Sequence, residues 1–130
     1  MMLAKVEVAS AAKYAQDVAM GRHAMKADEP ERLGGADSGP APYQILLASL
    51  GACTSITLRM YAERKGWELG TVRIALSLAR DEAGAETIAR EISVSSPLTD
   101  EQRARLLEIA GKTPVTKTLL KGVAIDSRFA

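Results

Sequence analysis

The chain has 130 residues, a net charge of +1, 47% hydrophobic and 25% charged residues, and a single cysteine, Cys53. That is the size and composition of one ordinary globular domain spanning residues 1–130, able to bury roughly two-thirds of its unfolded surface. The near-neutral charge excludes a basic field for nucleic acid, and one cysteine excludes an intrachain disulfide framework and fits a reducing compartment.

Ala4, Val6 and Val8 alternate with Lys5 and Glu7, which predicts a short first strand with no apolar leader run before it. Tyr14 to Met20 predicts a second strand, and His23 to Ala27 its return. Gly21-Arg22 between them suits a two-residue hairpin turn, with glycine at the first central position. Residues 28–41 form the longest irregular stretch, rich in Gly and Pro, of the kind that is often functional.

Pro42 to Lys65 predicts the central helix. Pro42 suits its first turn, Gly66 its C′ position, and Arg64 and Lys65 complement its dipole. Leu46, Leu50, Cys53, Thr57 and Tyr61 share one face; Ile45, Ala52, Ile56 and Met60 make another. The helix is therefore expected to be buried on most sides. Its uncharged run, Ile45 to Leu58, is shorter than the roughly 18 residues of a membrane span, so no membrane partner is expected. With neither leader nor span, the expected location is cytoplasmic.

Thr71 to Arg80 alternates cleanly, with Val72, Ile74, Leu76 and Leu78 on one side. Residues 81–84 turn the chain, and Ala85 to Val94 returns with Ile88, Ile92 and Val94 on the apolar side. This hairpin is expected to cover one flank of the central helix. Thr99 to Gln102 reads as a capping box before a helix ending at Gly111. Thr113 then supplies an N-cap hydroxyl and Pro114 the N1 residue of a short helix to about Leu120. Val123, Ile125, Ser127 and Phe129 alternate as a last strand. The order β-β-β-α-β-β-α-α-β, with strands in hairpins around a long helix, is α+β.

From pattern alone Cys53 has two readings. A lone cysteine on an apolar helix is most often core. A reactive one needs its thiolate stabilised by a helix N-terminus or a cation. Cys53 lies about three turns inside the helix, too far for the dipole, so any activation must come from a basic side chain elsewhere. His23 is the only histidine and reads as a surface or hydrogen-bonded strand residue. One Cys and one His make no metal site, and no cofactor is expected. The carboxylate pairs Asp28-Glu29 and Asp81-Glu82 read as solvated turns.

The run Gly-Gly-Ala-Asp-Ser-Gly-Pro-Ala-Pro-Tyr-Gln-Ile-Leu-Leu-Ala-Ser-Leu-Gly-Ala-Cys-Thr-Ser (34–55), followed by Thr-Leu-Arg-Met-Tyr-Ala-Glu-Arg-Lys-Gly-Trp (57–67), resembles the OsmC/Ohr family of osmotically induced and organic-hydroperoxide-resistance proteins. Lys-Thr-Pro-Val-Thr-Lys-Thr-Leu (112–119) resembles its second motif. The resemblance covers roughly Gly21 to Phe129. It implies an OsmC-like α+β fold and a tightly intertwined homodimer with strands of both chains in shared sheets. It also implies thiol-dependent, peroxiredoxin-like reduction of organic hydroperoxides in an oxidative stress response.

By that resemblance Cys53 stands where the peroxidatic cysteine stands, and Thr113 where the family has a resolving cysteine. Tyr43 stands where family peroxidases carry a glutamate that steadies an arginine against the thiolate, with neutral Gln44 beside it. That arginine comes from the N-terminal strand region, where Arg22 and Arg32 are the two arginines available. The missing second cysteine and the Tyr43 replacement leave three readings. One is a peroxidase of reduced competence using Cys53 and an external thiol reductant. Another is a non-catalytic protein binding a small apolar ligand around Cys53. The third is a structural dimer whose cysteine is core.

Overall fold

A computed structural model describes all residues, 1–130. The chain falls into two compact units, residues 1–46 and 47–130.

The first unit is a three-stranded antiparallel meander, β1 (Glu7–Ala9), β2 (Gln16–Met20) and β3 (His23–Ala27). β1 pairs with β2 through Val8 opposite Val18, and β2 with β3 through Val18 opposite Met25. Gly21 sits at φ +61° in the β2–β3 turn, as the hairpin signal predicts. After β3 comes the loop of residues 28–41, with one 3-10 turn at Glu31–Leu33.

Asp28 organises that loop. It is buried, at 2% exposure. Its Oδ1 accepts from the Glu29 amide at 2.7 Å, and its Oδ2 accepts from the Ser38 amide at 3.1 Å and the Ser38 hydroxyl at 2.6 Å. The Ala36 amide adds a longer contact at 3.3 Å. The Ser38 hydroxyl first, then the amides, stabilise the charged form and hold the carboxyl down at about 2. Gly35 completes the fold of the loop: a Cβ there would lie 2.0 Å from the Glu29 carbonyl oxygen. Asp28 is thus a loop organiser and not the solvated turn residue expected from its sequence neighbours.

The central helix, α1, spans Pro42–Lys65 and ends at Gly66 with φ +71°, matching both predicted ends. Its first turn belongs to the first unit and the remainder to the second. β4 (Val72–Arg80) and β5 (Glu86–Val94) form an antiparallel hairpin in register, with Ile74 opposite Ile92 and Leu76 opposite Arg90. α2 (Asp100–Ala110) starts at the Thr99–Gln102 capping box, and α3 (Pro114–Lys121) starts at the Thr113 N-cap.

The core of this unit is Leu58, Ala62, Leu69, Leu106 and Ala110, with Tyr61, Trp67, Val72, Ile92 and Val94 packed around it. Gly51 lets α1 approach β4 closely, since a Cβ there would sit 2.9 Å from the Leu76 Cδ1. Trp67 packs edge-on against Tyr61, with ring centroids 5.6 Å apart.

Two expectations need correction. α1 is buried along one stripe, Leu50, Gly51, Thr54, Leu58 and Ala62, and not on most sides. A two-stranded hairpin covers one helix face, so Ile56 and Met60 stay exposed. α1 also meets the length and composition of a membrane span, with a mean hydropathy of 1.4 over its most apolar 18 residues. Here the buried stripe is committed to the hairpin and α2.

The predicted last strand is not formed: residues 122–130 carry no secondary structure, and Val123, Ile125 and Phe129 are exposed. A strand needs a partner to pair with, and residues 122–130 join neither of the two sheets.

Candidate functional site

Cys53 lies at mid-α1 and is half-buried, a free thiol. The next residue, Thr54, is fully buried. Its hydroxyl donates to the Leu50 carbonyl at 2.7 Å, closing the helical turn that contains Cys53.

The remaining acceptor capacity of that hydroxyl is taken by a residue that the sequence reading passed over. Arg90 sits on β5 between Ile88 and Ile92, at an inward position of the alternation. Its Nη1 donates to Thr54 Oγ1 and to Thr116 Oγ1, each at 2.9 Å, and its Nη2 donates to the Ala110 carbonyl, also at 2.9 Å. One planar guanidinium therefore ties α1, the end of α2 and the first turn of α3 to β5. Arg90 makes no ion pair with a carboxylate.

Thr113, the position that the resemblance gives to a resolving cysteine, is fully buried and belongs to the same cluster. Its hydroxyl lies 2.6 Å from that of Thr116 and caps α3 by accepting from the Thr116 amide at 3.3 Å. Thr116 Oγ1 also donates to the Ala110 carbonyl at 3.2 Å. With that donation fixed, the Thr113 hydroxyl is the donor to Thr116, and every polar atom of the cluster is satisfied. The structure thus joins Thr113 to the α1 turn of Cys53 through Thr116, Arg90 and Thr54.

The other predicted residues lie in the first unit. Arg22 is exposed in the β2–β3 turn and Arg32 is exposed in the 3-10 turn, and neither makes a side-chain hydrogen bond or ion pair. Tyr43 is exposed in the first turn of α1. Gln44 Oε1 accepts from the Ala41 amide at 2.9 Å, satisfying a free donor at the helix start. His23 is exposed and opens β3 opposite Met20. No group of three or more His, Cys, Asp or Glu side chains gathers as a metal site would. In the second unit a groove of about 470 Å³ beside β5 and α2 is lined by Arg90, Ile92, Val94, Leu98 and Leu106, and not by Cys53.

The signal that could have found Arg90 was present in the alternation. An arginine in register with Ile88 and Ile92 must either break the strand pattern or find buried acceptors. The threonines of Lys112-Thr113-Pro114-Val115-Thr116 are such acceptors.

The family model described as OsmC-like protein matches residues 35–128. The chain belongs to the OsmC-like family. No curated protein matches it. Among solved structures it is similar to an OsmC-like protein from Mycoplasma pneumoniae, at 16% identity and TM-score 0.78, over 92% of this chain and 88% of that one. It is also similar to the organic hydroperoxide resistance protein OhrB of Bacillus subtilis, at 23% identity and TM-score 0.62, over 90% of each chain. An organic hydroperoxide resistance protein from Elizabethkingia anophelis matches at 20% identity and TM-score 0.65, over 91% of this chain and 88% of that one. At these identities the structural matches carry the fold: an OsmC-like α+β architecture with antiparallel hairpins and a long central helix.

Proposed function

We propose that this OsmC-like chain is an organic hydroperoxide reductase in which Cys53 is the reacting thiol and an external thiol is the reductant. The observation that supports this reading is the setting of Cys53. It is the only thiol of the chain and is partly exposed at mid-helix instead of sealed in the core, and the sequence resemblance puts it at the family's peroxidatic position. In the first step the Cys53 thiolate attacks a peroxide oxygen; the O–O bond breaks, the alcohol leaves, and Cys53 becomes a sulfenic acid. A small thiol then condenses with the sulfenic acid, releasing water and leaving a mixed disulfide. A second thiol displaces Cys53 as the free thiol and departs as the oxidised disulfide.

Thr113 cannot supply the second sulfur, so the reductant must come from outside the chain. Family membership and the hydroperoxide resistance named for two structural neighbours support the substrate class. The test is consumption of an alkyl hydroperoxide in the presence of excess small thiol. Turnover lost in Cys53→Ser supports the reading, and equal rates for both proteins contradict it.

A second reading, non-catalytic binding of a small apolar ligand, is favoured by Tyr43, which stands where family peroxidases have a carboxylate, and by the exposed, unbonded Arg22 and Arg32. Native mass spectrometry of the purified protein separates the two: a bound ligand without peroxide turnover supports this one. In either reading the working unit is a homodimer. Ile56 and Met60 expose 59% and 50% of their surface on a helix face that the chain's own hairpin does not reach, and a second copy covers it.

A further inference from the structure

We propose that Arg90 is a positioning residue for Cys53, acting through the Thr54 hydroxyl and not by touching the sulfur. The inference rests on the reading of Cys53 as the reacting thiol.

Placing a guanidinium between Ile88 and Ile92 on the inward face of β5 is costly unless its N–H groups find acceptors. Here three of its five N–H groups do so, and all three acceptors are neutral oxygens. A lysine could not reproduce the arrangement, because a point donor lacks the planar fork that reaches Thr54, Thr116 and the Ala110 carbonyl at once. The Thr54 bond is the informative one. Anchoring α3 alone requires only Thr116 and Ala110, both near the α2–α3 junction. The third bond reaches across to α1, to the residue that follows Cys53 and whose own proton closes the Leu50–Thr54 turn. Thr54 is held from both sides, by Leu50 within its helix and by Arg90 from β5. The direction in which the Cys53 side chain leaves the helix is thereby fixed with respect to β5 and to the Thr113 turn. The same cluster fills with hydroxyls the place where a second thiol would stand, so the fixed geometry serves a one-cysteine reaction.

The experiment measures two rates for Cys53 in the folded protein: sulfenic acid formation with an alkyl hydroperoxide, and alkylation by iodoacetamide. Alkylation requires access to the thiol; attack on a peroxide oxygen also requires alignment along the O–O bond. In Arg90→Met and in Thr54→Val the ratio of oxidation to alkylation is expected to fall about tenfold, and in the double variant no further, since both remove one link. Thr54→Ser, which keeps the hydroxyl, restores the ratio. Leu69→Ala, a core change outside the groove that Arg90 lines, lowers the unfolding temperature but leaves the ratio within about twofold of the parent.

The proposal is overturned if Arg90→Met and Thr54→Val keep the parent ratio, or if Leu69→Ala lowers it equally. Should Arg90→Met not fold, Thr54→Val and Thr54→Ser decide alone. If the parent Cys53 is alkylated but never oxidised, the reductase reading fails. Positioning is then judged on the Cys53 Cβ resonance by NMR, which Arg90→Met and Thr54→Val must shift together and Leu69→Ala must not.

Discussion

Replacing Thr113 by cysteine puts a thiol where the sequence resemblance places the family's second cysteine, and the structure sets the terms of the outcome. Thr113 is fully buried, and its hydroxyl is one bond from Thr116, which shares Arg90 with Thr54. The reduced variant loses a helix N-cap, which costs about 0.5–2 kcal/mol, and leaves Thr116 with one acceptor site unfilled. That is a small fraction of the stability of a typical domain, so the variant folds. A bond from Cys53 to position 113 closes a loop of about 60 residues, which in the chain-entropy account stabilises by about 4 kcal/mol. The oxidised variant is therefore expected to be more stable than the parent by about 2–4 kcal/mol, provided that the Cα atoms come within about 7 Å. The assay is a stoichiometric addition of an alkyl hydroperoxide, followed by non-reduced mass analysis and thermal unfolding with and without a dithiol. A mass lower by two hydrogens than the reduced protein, together with a reductant-sensitive rise in unfolding temperature, is the expected result. A variant that folds and forms a trapped sulfenic acid at Cys53, yet makes no such bond, would show that the Thr113 turn does not face the Cys53 turn, and the assignment of Thr113 to the family's second position would fall.

Sedimentation at low micromolar concentration is expected to show only dimer, because the exposed Ile56 and Met60 face needs cover; a stable folded monomer there contradicts this. Asp28 is expected to make stability depend on acid pH. Its folded carboxyl titrates at about 2, below its ordinary value of 3.8, so the stability it contributes is present above pH 3.8 and is lost as pH falls toward 2. Asp28→Asn should lower the unfolding temperature at pH 7 and flatten its fall between those values, read by circular dichroism; an unchanged acid profile would show that the Ser38 and amide bonds to Asp28 do not hold the loop.

The elements whose ends are set by local chemistry were legible in the sequence. Pro42 and Gly66 mark α1, Thr99 with Gln102 marks the start of α2, and Thr113-Pro114 marks α3; each signal is a capping or backbone preference that acts within a few residues. The alternation of β4 and β5 was equally local. What escaped depends on contacts far apart in the chain. The faces read on α1 share only Leu50 with the stripe that is buried, because Gly51, Thr54, Leu58 and Ala62 are selected by the hairpin and α2 packed against them, and how much of the helix one chain covers is a matter of how much sheet is available. The alternation of Val123, Ile125 and Phe129 is a property of the segment, whereas a strand is a property of two. Asp28 looked like a turn residue because three of the four donors that hold its charge lie 8–10 residues further on. Arg90 was missed for the same reason: its partners stand 36, 26 and 20 residues away, and only its inward register hinted at them.

The most direct measurement of the central claim is trapping at Cys53. The folded protein is exposed to an organic hydroperoxide with a sulfenic-acid-specific nucleophile present, and the adduct is located by peptide mass analysis. The account predicts an adduct at Cys53, absent without peroxide and formed slowly, since the resemblance puts Tyr43 in place of the carboxylate that would steady an arginine. No adduct after prolonged exposure of the folded protein would contradict it.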